Sequence, residues 1–176
     1  EWASPGHRDC MVGNNSASVV ADAYIKGLQG YDIERLWEAL KHGANNHLKG
    51  TASGRVAFEA YNRLGYVPNN IGVGQNVART LEYAYNDWCI YTLGKKLGKP
   101  DNEIEIYKQR SLNYKNVYNP SEKLMVGKDD RGKFNPRFSA TDWSGDFCEG
   151  NSWHWSFCVF HDPQGLIDLM GGNEAF

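Results

Sequence analysis

Gln75-Asn76-Val77-Ala78-Arg79-Thr80-Leu81-Glu82-Tyr83-Ala84-Tyr85-Asn86-Asp87-Trp88-Cys89-Ile90-Tyr91-Thr92-Leu93-Gly94-Lys95-Lys96-Leu97 is the longest periodic run in the chain. Val77, Leu81, Ala84, Trp88, Tyr91 and Leu93 follow one side at helical spacing. Lys95, Lys96 and Lys99 crowd the C-terminal end, where positive charge suits the helix dipole, and Gly98 with Pro100 stops the helix. Upstream, Ser16 is read as the N-cap of a first helix carrying Val20, Ala23, Tyr24, Gly27 and Leu28, with Gly30 as its stop. Asp32 caps a second, in which Ile33, Leu36, Trp37 and Leu40 repeat at i, i+3, i+4 and i+7 and Gly43 ends the pattern. The short connection between them predicts an antiparallel pair.

The remaining segments have the same character. Ala57, Ala60, Tyr61 and Leu64 make a short helix stopped by Gly65, and Gly65-Tyr66-Val67-Pro68 reads as an extended exit because the residue before proline avoids helical backbone. Asp101 is read as the cap of a further helix whose buried stripe is Ile104, Tyr107, Tyr114 and Val117, ended by Asn119-Pro120. Leu124-Met125-Val126 is a brief strand candidate, and 127–145 an ordered loop too rich in aromatics for disorder. Pro163, after His161-Asp162, opens a last helix with Leu166, Ile167 and Met170 apolar. Residues 1–15 and 44–53 are loops; in the first, His7, Arg8 and Asp9 form a polar cluster. The expected fold is mainly α: antiparallel helical pairs, long ordered loops and little sheet.

Composition narrows the function. A net charge of -2 argues against a mainly electrostatic partner such as nucleic acid or an anionic membrane. No apolar run has the length of a membrane-spanning segment. Aromatic content of 13% is high, which suits either a stacking ligand or a Tyr-rich helical core. Cys10, Cys89, Cys148 and Cys158 show no Cys-x-x-Cys spacing, so a zinc or thioredoxin-type site is not expected. Cys89 reads as a small core residue, and a Cys148–Cys158 disulfide stays open. The chain starts at Glu1 without Met and stops just after a helical pattern, so residues 1–176 are expected to be a single fragment of a larger domain.

The chemistry concentrates in Asp146-Phe147-Cys148-Glu149-Gly150-Asn151-Ser152-Trp153-His154-Trp155-Ser156-Phe157. Apolar rings crowding a carboxyl favour its uncharged form, which can donate a proton to a leaving group. Aromatic faces stack on sugar C–H faces, while amides and imidazoles bond hydroxyls. The plainer reading is a helix start capped by Asp146 or Glu149, with the rings filling core. Asp22, Glu82 and Asp87 are further acids in apolar settings. Glu82 and Asp87, five apart, fall on different helix faces, one suited to a cavity and the other to solvent or a partner. Paired carboxylates drive glycoside hydrolysis, but no spacing here identifies a second member.

A set of blocks, in chain order, carries a resemblance. They are Met11-Val12-Gly13-Asn14-Asn15-Ser16 with Val20-Ala21-Asp22-Ala23-Tyr24-x-Lys26-Gly27, Gly65-Tyr66-Val67-Pro68, Thr80 to Ile90, Arg110-Ser111-x-x-Tyr114, Glu149-Gly150-Asn151-Ser152-Trp153, and His161-Asp162 with Gly165 to Gly172. Together they resemble glycoside hydrolase family 92, bacterial calcium-dependent exo-acting α-mannosidases. The resemblance implies an (α/α)6 toroid, of which this chain is part, and hydrolysis of terminal α-mannosides of glycans, α-1,2 foremost, with inversion. It makes Glu149 the general acid and Trp153 and His154 pocket residues around the leaving group; Asp22, Asp87 and Trp88 are further substrate-binding candidates. It places the basic Asp and the calcium ligands in later segments, so no metal ligand is assigned here and the chain alone is expected to be inactive. It implies a periplasmic, secreted or cell-surface enzyme whose partners are a mannose-containing glycan and the rest of its own polypeptide. Uncovered helix faces predict self-association of the isolated chain. The alternatives are a toroid hydrolase of another α-glycoside and a non-catalytic helical sugar-binding or scaffold module. The family often has Gly-Asn-His-Ala where this chain has Gly13-Asn14-Asn15-Ser16, and Gln-Tyr-Thr-Trp where it has His154-Trp155-Ser156-Phe157. The second departure lies beside the acid and bears on linkage and leaving-group contacts.

Overall fold

The structure is a computed structural model that describes residues 11–48 and 53–176. The polar cluster of His7, Arg8 and Asp9, Cys10, and the middle of the 44–53 loop lie outside the described residues. Seven α-helices are present among the described residues: α1 (Ser16–Ile25), α2 (Ile33–Ala44), α3 (Phe58–Leu64), α4 (Asn76–Leu97), α5 (Asp101–Arg110), α6 (Ser152–Trp155) and α7 (Pro163–Leu169). Two short strands, β1 (Tyr118–Asn119) and β2 (Leu124–Met125), pair antiparallel with Tyr118 opposite Met125. The mainly helical reading holds.

The chain divides into two compact units. The first comprises 1–59 and 82–112, the second 60–81 and 113–176, so α3 and α4 lend residues to both. In the first unit α1 and α2 pack on one another, and Ala17, Ala21, Trp37, Leu40, Cys89, Ile90, Leu93, Ile104 and Tyr107 form a core. Each large side chain fully withdrawn from water there contributes roughly 1.5–3 kcal/mol. Trp37 is wholly buried, and its indole N–H donates to the Glu103 carboxylate (2.9 Å), which Lys41 also bonds (2.6 Å). That pairing, with Trp37 assisting, holds the Glu103 carboxyl below its usual range. Cys89 is buried as expected, its thiol pushed up to about 12 by desolvation.

Several boundaries differ from the sequence reading. Asn15, not Ser16, is the residue before the first helical turn, and the Ser16 hydroxyl instead donates to the Asn14 side chain (2.6 Å). α1 stops at Gly27 rather than Gly30. Gly27 is left-handed (φ 80°), Leu28 N–H reaches Ala23 C=O (3.0 Å) and Gly27 N–H reaches Tyr24 C=O (3.0 Å), a Schellman closure. Gly43 does not end α2 but lies inside it, where an added Cβ would sit 2.6 Å from the Asn14 amide nitrogen. Its small size serves close approach. Asp32 caps α2 as expected, accepting from Arg35 N–H (3.0 Å). Asp101 is the first residue of α5, not its cap, and the helix closes at Arg110. Tyr114 and Val117, expected on the same stripe, are buried from a 3-10 turn over Asn113–Val117.

In the second unit the core includes Val67, Val77, Leu81, Tyr114, Met125, Val126, Phe147 and Leu166. β2 is tied to α6 through two serines. Met125 N–H donates to the Ser156 hydroxyl (2.8 Å), and the Ser152 hydroxyl donates to Met125 C=O (2.7 Å). Asp162 caps α7 by accepting from Gly165 N–H (3.0 Å), with Pro163 opening the helix as expected. Tyr114 O–H donates to the other Asp162 oxygen (2.8 Å). No disulfide joins Cys148 and Cys158. No described helix is long and apolar enough to cross a membrane.

Candidate functional site

The loop that carries Glu149 is pinned on each side. Gly145 C=O accepts from Gln75 N–H (2.8 Å), and Asp146 C=O accepts from Val77 (3.0 Å) and Ala78 (3.3 Å) at the start of α4. Those N–H groups have no partner within the helix, so the loop satisfies them. The Asp146 carboxylate accepts from the Asn76 amide (2.8 Å), and any side chain at Gly127 would collide with it. Phe147 and Cys148 are buried, and Cys148 C=O accepts from the Trp155 indole (2.8 Å). Ser144 N–H donates to Gly150 C=O (2.8 Å), closing the loop across Glu149.

Within this frame Glu149 has a left-handed backbone (φ 46°) and an exposed side chain, between buried Cys148 and buried Gly150. Such backbone costs a non-glycine residue of order 1–3 kcal/mol and persists only where the surroundings impose it, a feature that clusters at functional sites. The expected wall of rings around the carboxyl is not met among the described residues. The rings stand beside the loop but turn elsewhere: Phe147 goes inward, Trp155 bonds Cys148, and Trp153 is 53% exposed.

Asn151 caps α6, not Asp146 or Glu149. Its side chain accepts from His154 N–H (3.3 Å), while its own N–H donates to His154 Nδ1 (3.2 Å), a reciprocal capping box. With Nδ1 accepting, the neutral ring carries its proton on Nε2. The Trp143 ring meets the His154 ring edge to face at 5.8 Å. Glu149, Trp153 and His154 therefore sit on one loop–helix junction.

Asp22, Asp87 and Trp88 belong to the first unit. Asp22 is exposed and pairs with Lys26 (2.7 Å). Asp87 is wholly buried and bonds both terminal nitrogens of Arg55 (3.0 Å each); neither side chain reaches solvent. The Arg55 guanidinium also lies 4.7 Å from the Tyr83 ring centroid. Trp88, half-buried, stacks on Tyr85 at 6.2 Å. Of the two α4 acids, Asp87 is the paired one. Glu82 is half-buried, and desolvation pushes its carboxyl up to about 7. Gly13 approaches so closely that an added Cβ would stand 3.0 Å from Glu82 Oε2. Beside it the Gly-Asn-Asn block is fixed to α4: Asn14 N–H donates to the Asn86 side-chain Oδ1 (2.6 Å), and the Asn86 side-chain Nδ2 donates to Asn15 Oδ1 (3.2 Å).

Three participants were not legible as such. Arg55, Asp87's partner 32 residues away, has no local signal. Asn151 had one, a capping residue three before His154, disguised because histidine stands where glutamate or glutamine is usual. Trp143 was one aromatic among several in the long loop. Two clefts accompany these residues. One of about 620 Å³ in the first unit is lined by Asn14, Val20, Leu36, His42 and Asn46, and no expected site residue lines it. The other, about 230 Å³, runs along 135–147 in the second unit. Among the described residues no three His, Cys, Asp or Glu side chains converge as a metal site would require.

A sequence profile of the glycosyl hydrolase family 92 catalytic domain matches residues 1–176. A solved family 92 inverting mannosidase from Bacteroides thetaiotaomicron superposes with a TM-score of 0.92 at 49% identity, over 99% of this chain and 24% of that one. A family 92 α-mannosidase from the same organism gives 0.83 at 36% identity, over 92% of this chain and 21% of that one. A protein named an uncharacterized secreted glycosidase, from Arthroderma benhamiae, is 32% identical over 93% of this chain and 25% of its own length. The chain thus spans about a quarter of the length of these relatives. The mainly helical fold is that of the family's α/α toroid catalytic domain. Profile, superposition and the order of the sequence blocks agree, and the chain belongs to glycosyl hydrolase family 92, within its catalytic domain.

Proposed function

We propose that the protein carrying this chain is an inverting exo-acting α-mannosidase of terminal mannosides in glycans, α-1,2 foremost, and that Glu149 is its proton donor. The observation that carries the reading is the presentation of Glu149: an acid held in left-handed backbone on a pinned loop, between two buried residues. In one displacement, a water oxygen bonds to the anomeric carbon as the bond to the glycosidic oxygen breaks. Glu149 gives its proton to the departing oxygen, and a carboxylate elsewhere in the enzyme takes one from the water, the two carboxyls standing roughly 6.5–9.5 Å apart. Trp153 and the Nε2 proton of His154 face the leaving group. Asp87, sealed against Arg55, supports its helix rather than touching sugar. Asp22, exposed and paired with Lys26, and Trp88, on the Tyr85 ring, are the weaker contributors.

In this reading the bound glycan and the rest of the polypeptide exclude water from the exposed Glu149 side chain. The described residues do not fit a calcium site by themselves; calcium, if the whole enzyme binds it, would hold sugar hydroxyls from oxygen ligands outside this segment. Secretion is in keeping with the name of the Arthroderma relative. The test is Glu149→Gln in the full-length enzyme. Mannobiose, whose leaving alcohol needs protonation, is expected to lose about 10²–10⁴-fold in kcat/KM, and α-mannosyl fluoride far less. Wild-type rates on mannobiose would refute the assignment.

A further inference from the structure

The cleft along 135–147 lies next to the loop that presents Glu149, and its wall is built from groups that sugars use. Asn135, Arg137, Ser139, Asp142 and Trp143 line it. Its volume of about 230 Å³ is below the roughly 300–1,000 Å³ of drug-sized sites and suits one sugar ring. Trp143 is 65% exposed, so its indole is accessible to a stacking ligand. Arg137 only donates hydrogen bonds and Asp142 only accepts them, so together they read a hydroxyl's two roles. Neither is in an ion pair among the described residues. The wall is also preorganised. Arg137 N–H donates to the Asn135 side chain (3.0 Å), Asn135 N–H to Gly127 C=O (2.8 Å), and Asp142 N–H to Ser139 C=O (3.3 Å). Cleft and acid loop share a boundary: Ser144 N–H bonds Gly150 C=O, and the Trp143 ring abuts His154.

We infer that this cleft is the subsite for the sugar that departs, with Trp143 as its platform and Arg137 and Asp142 as the residues that select its hydroxyl pattern. The inference rests on Glu149 being the proton donor, because the donor touches the oxygen that leaves with that sugar. An exposed indole with a hydrogen-bond donor and an acceptor along the same cleft suits a neutral, polyhydroxyl ring. These residues would act on the leaving group alone and leave the mannose being transferred untouched.

The test compares Arg137→Ala, Asp142→Asn and Trp143→Ala in the full-length enzyme on mannobiose and on α-mannosyl fluoride, whose departing fluoride fills no sugar subsite. Each variant is expected to lose about 10–100-fold in kcat/KM on mannobiose, the scale of one or two lost polar contacts, and less than about threefold on the fluoride. Arg137 and Asp142 are exposed, so those two variants are expected to melt at the wild-type temperature. Equal losses on both substrates, or none on either, would overturn the subsite. Glu149→Gln run in parallel separates the two readings. If it spares mannobiose the acid assignment fails; if it abolishes mannobiose hydrolysis while the cleft variants do nothing, only the subsite fails.

Discussion

Glu82→Gln tests whether the half-buried acid on α4 carries a desolvation penalty. In the folded chain desolvation by burial raises the Glu82 carboxyl from 4.5 to about 7. A raised carboxyl binds its proton more tightly when folded than when unfolded. Its contribution is therefore fully favourable below about 4.5 and is lost as pH climbs through about 7. The gap, at about 1.36 kcal/mol per pH unit, amounts to about 3 kcal/mol, an upper figure because water reaches part of the side chain. Glutamine has the shape of the protonated acid and cannot ionise. The variant is expected to match wild type near pH 4.5 and to exceed it by up to about 3 kcal/mol at pH 8. Urea unfolding at both pH values, followed by tryptophan fluorescence, reads the difference directly, because every other titrating group cancels between the two proteins. A gain of the same size at both pH values, or a loss at pH 8, would refute the desolvation argument.

Other consequences are as direct. Asp87→Ala strands the Arg55 guanidinium in a dry interior and is expected to cost about 3–5 kcal/mol in urea unfolding, whereas Arg55→Met with Asp87→Leu together recovers most of it. Asn151→Ala removes the α6 cap and is expected to cost about 1 kcal/mol by thermal melt, and it lowers mannobiose turnover because His154 loses its ring anchor. Chelation of the full-length enzyme with EDTA is expected to abolish mannoside hydrolysis, with added calcium restoring it; undiminished activity in EDTA would remove calcium from the reading.

The helices were legible where one periodicity and one stop signal agreed. Asp32, Gly65, Gly98 and Pro163 each mark a boundary through a local physical requirement, so the α2 start, the α3 and α4 ends and the α7 start were readable. Local signals misled where two residues competed for one role. Gly27 and Gly30 both suit a helix stop, and only the Schellman bonds decide between them. Gly43 is small because Asn14 comes close, a contact across 29 positions that no window shows. Strand β1 was missed because two residues carry no alternation to detect. At the candidate site the composition was readable and the orientation was not. The rings around Glu149 were visible as letters, but whether each faces the acid, the core or solvent depends on bonds such as Trp155 to Cys148. The Arg55–Asp87 pair joins distant segments and lies beyond any local pattern.

The left-handed turn of the chain at Glu149 places a torsional cost on a single position. Glycine there would relieve the torsional cost, and asparagine would reduce it. Selection for a robust fold alone would drive the residue toward one of those two. If Glu149 is the proton donor proposed above, an acid kept in so unwelcoming a conformation trades durability for turnover.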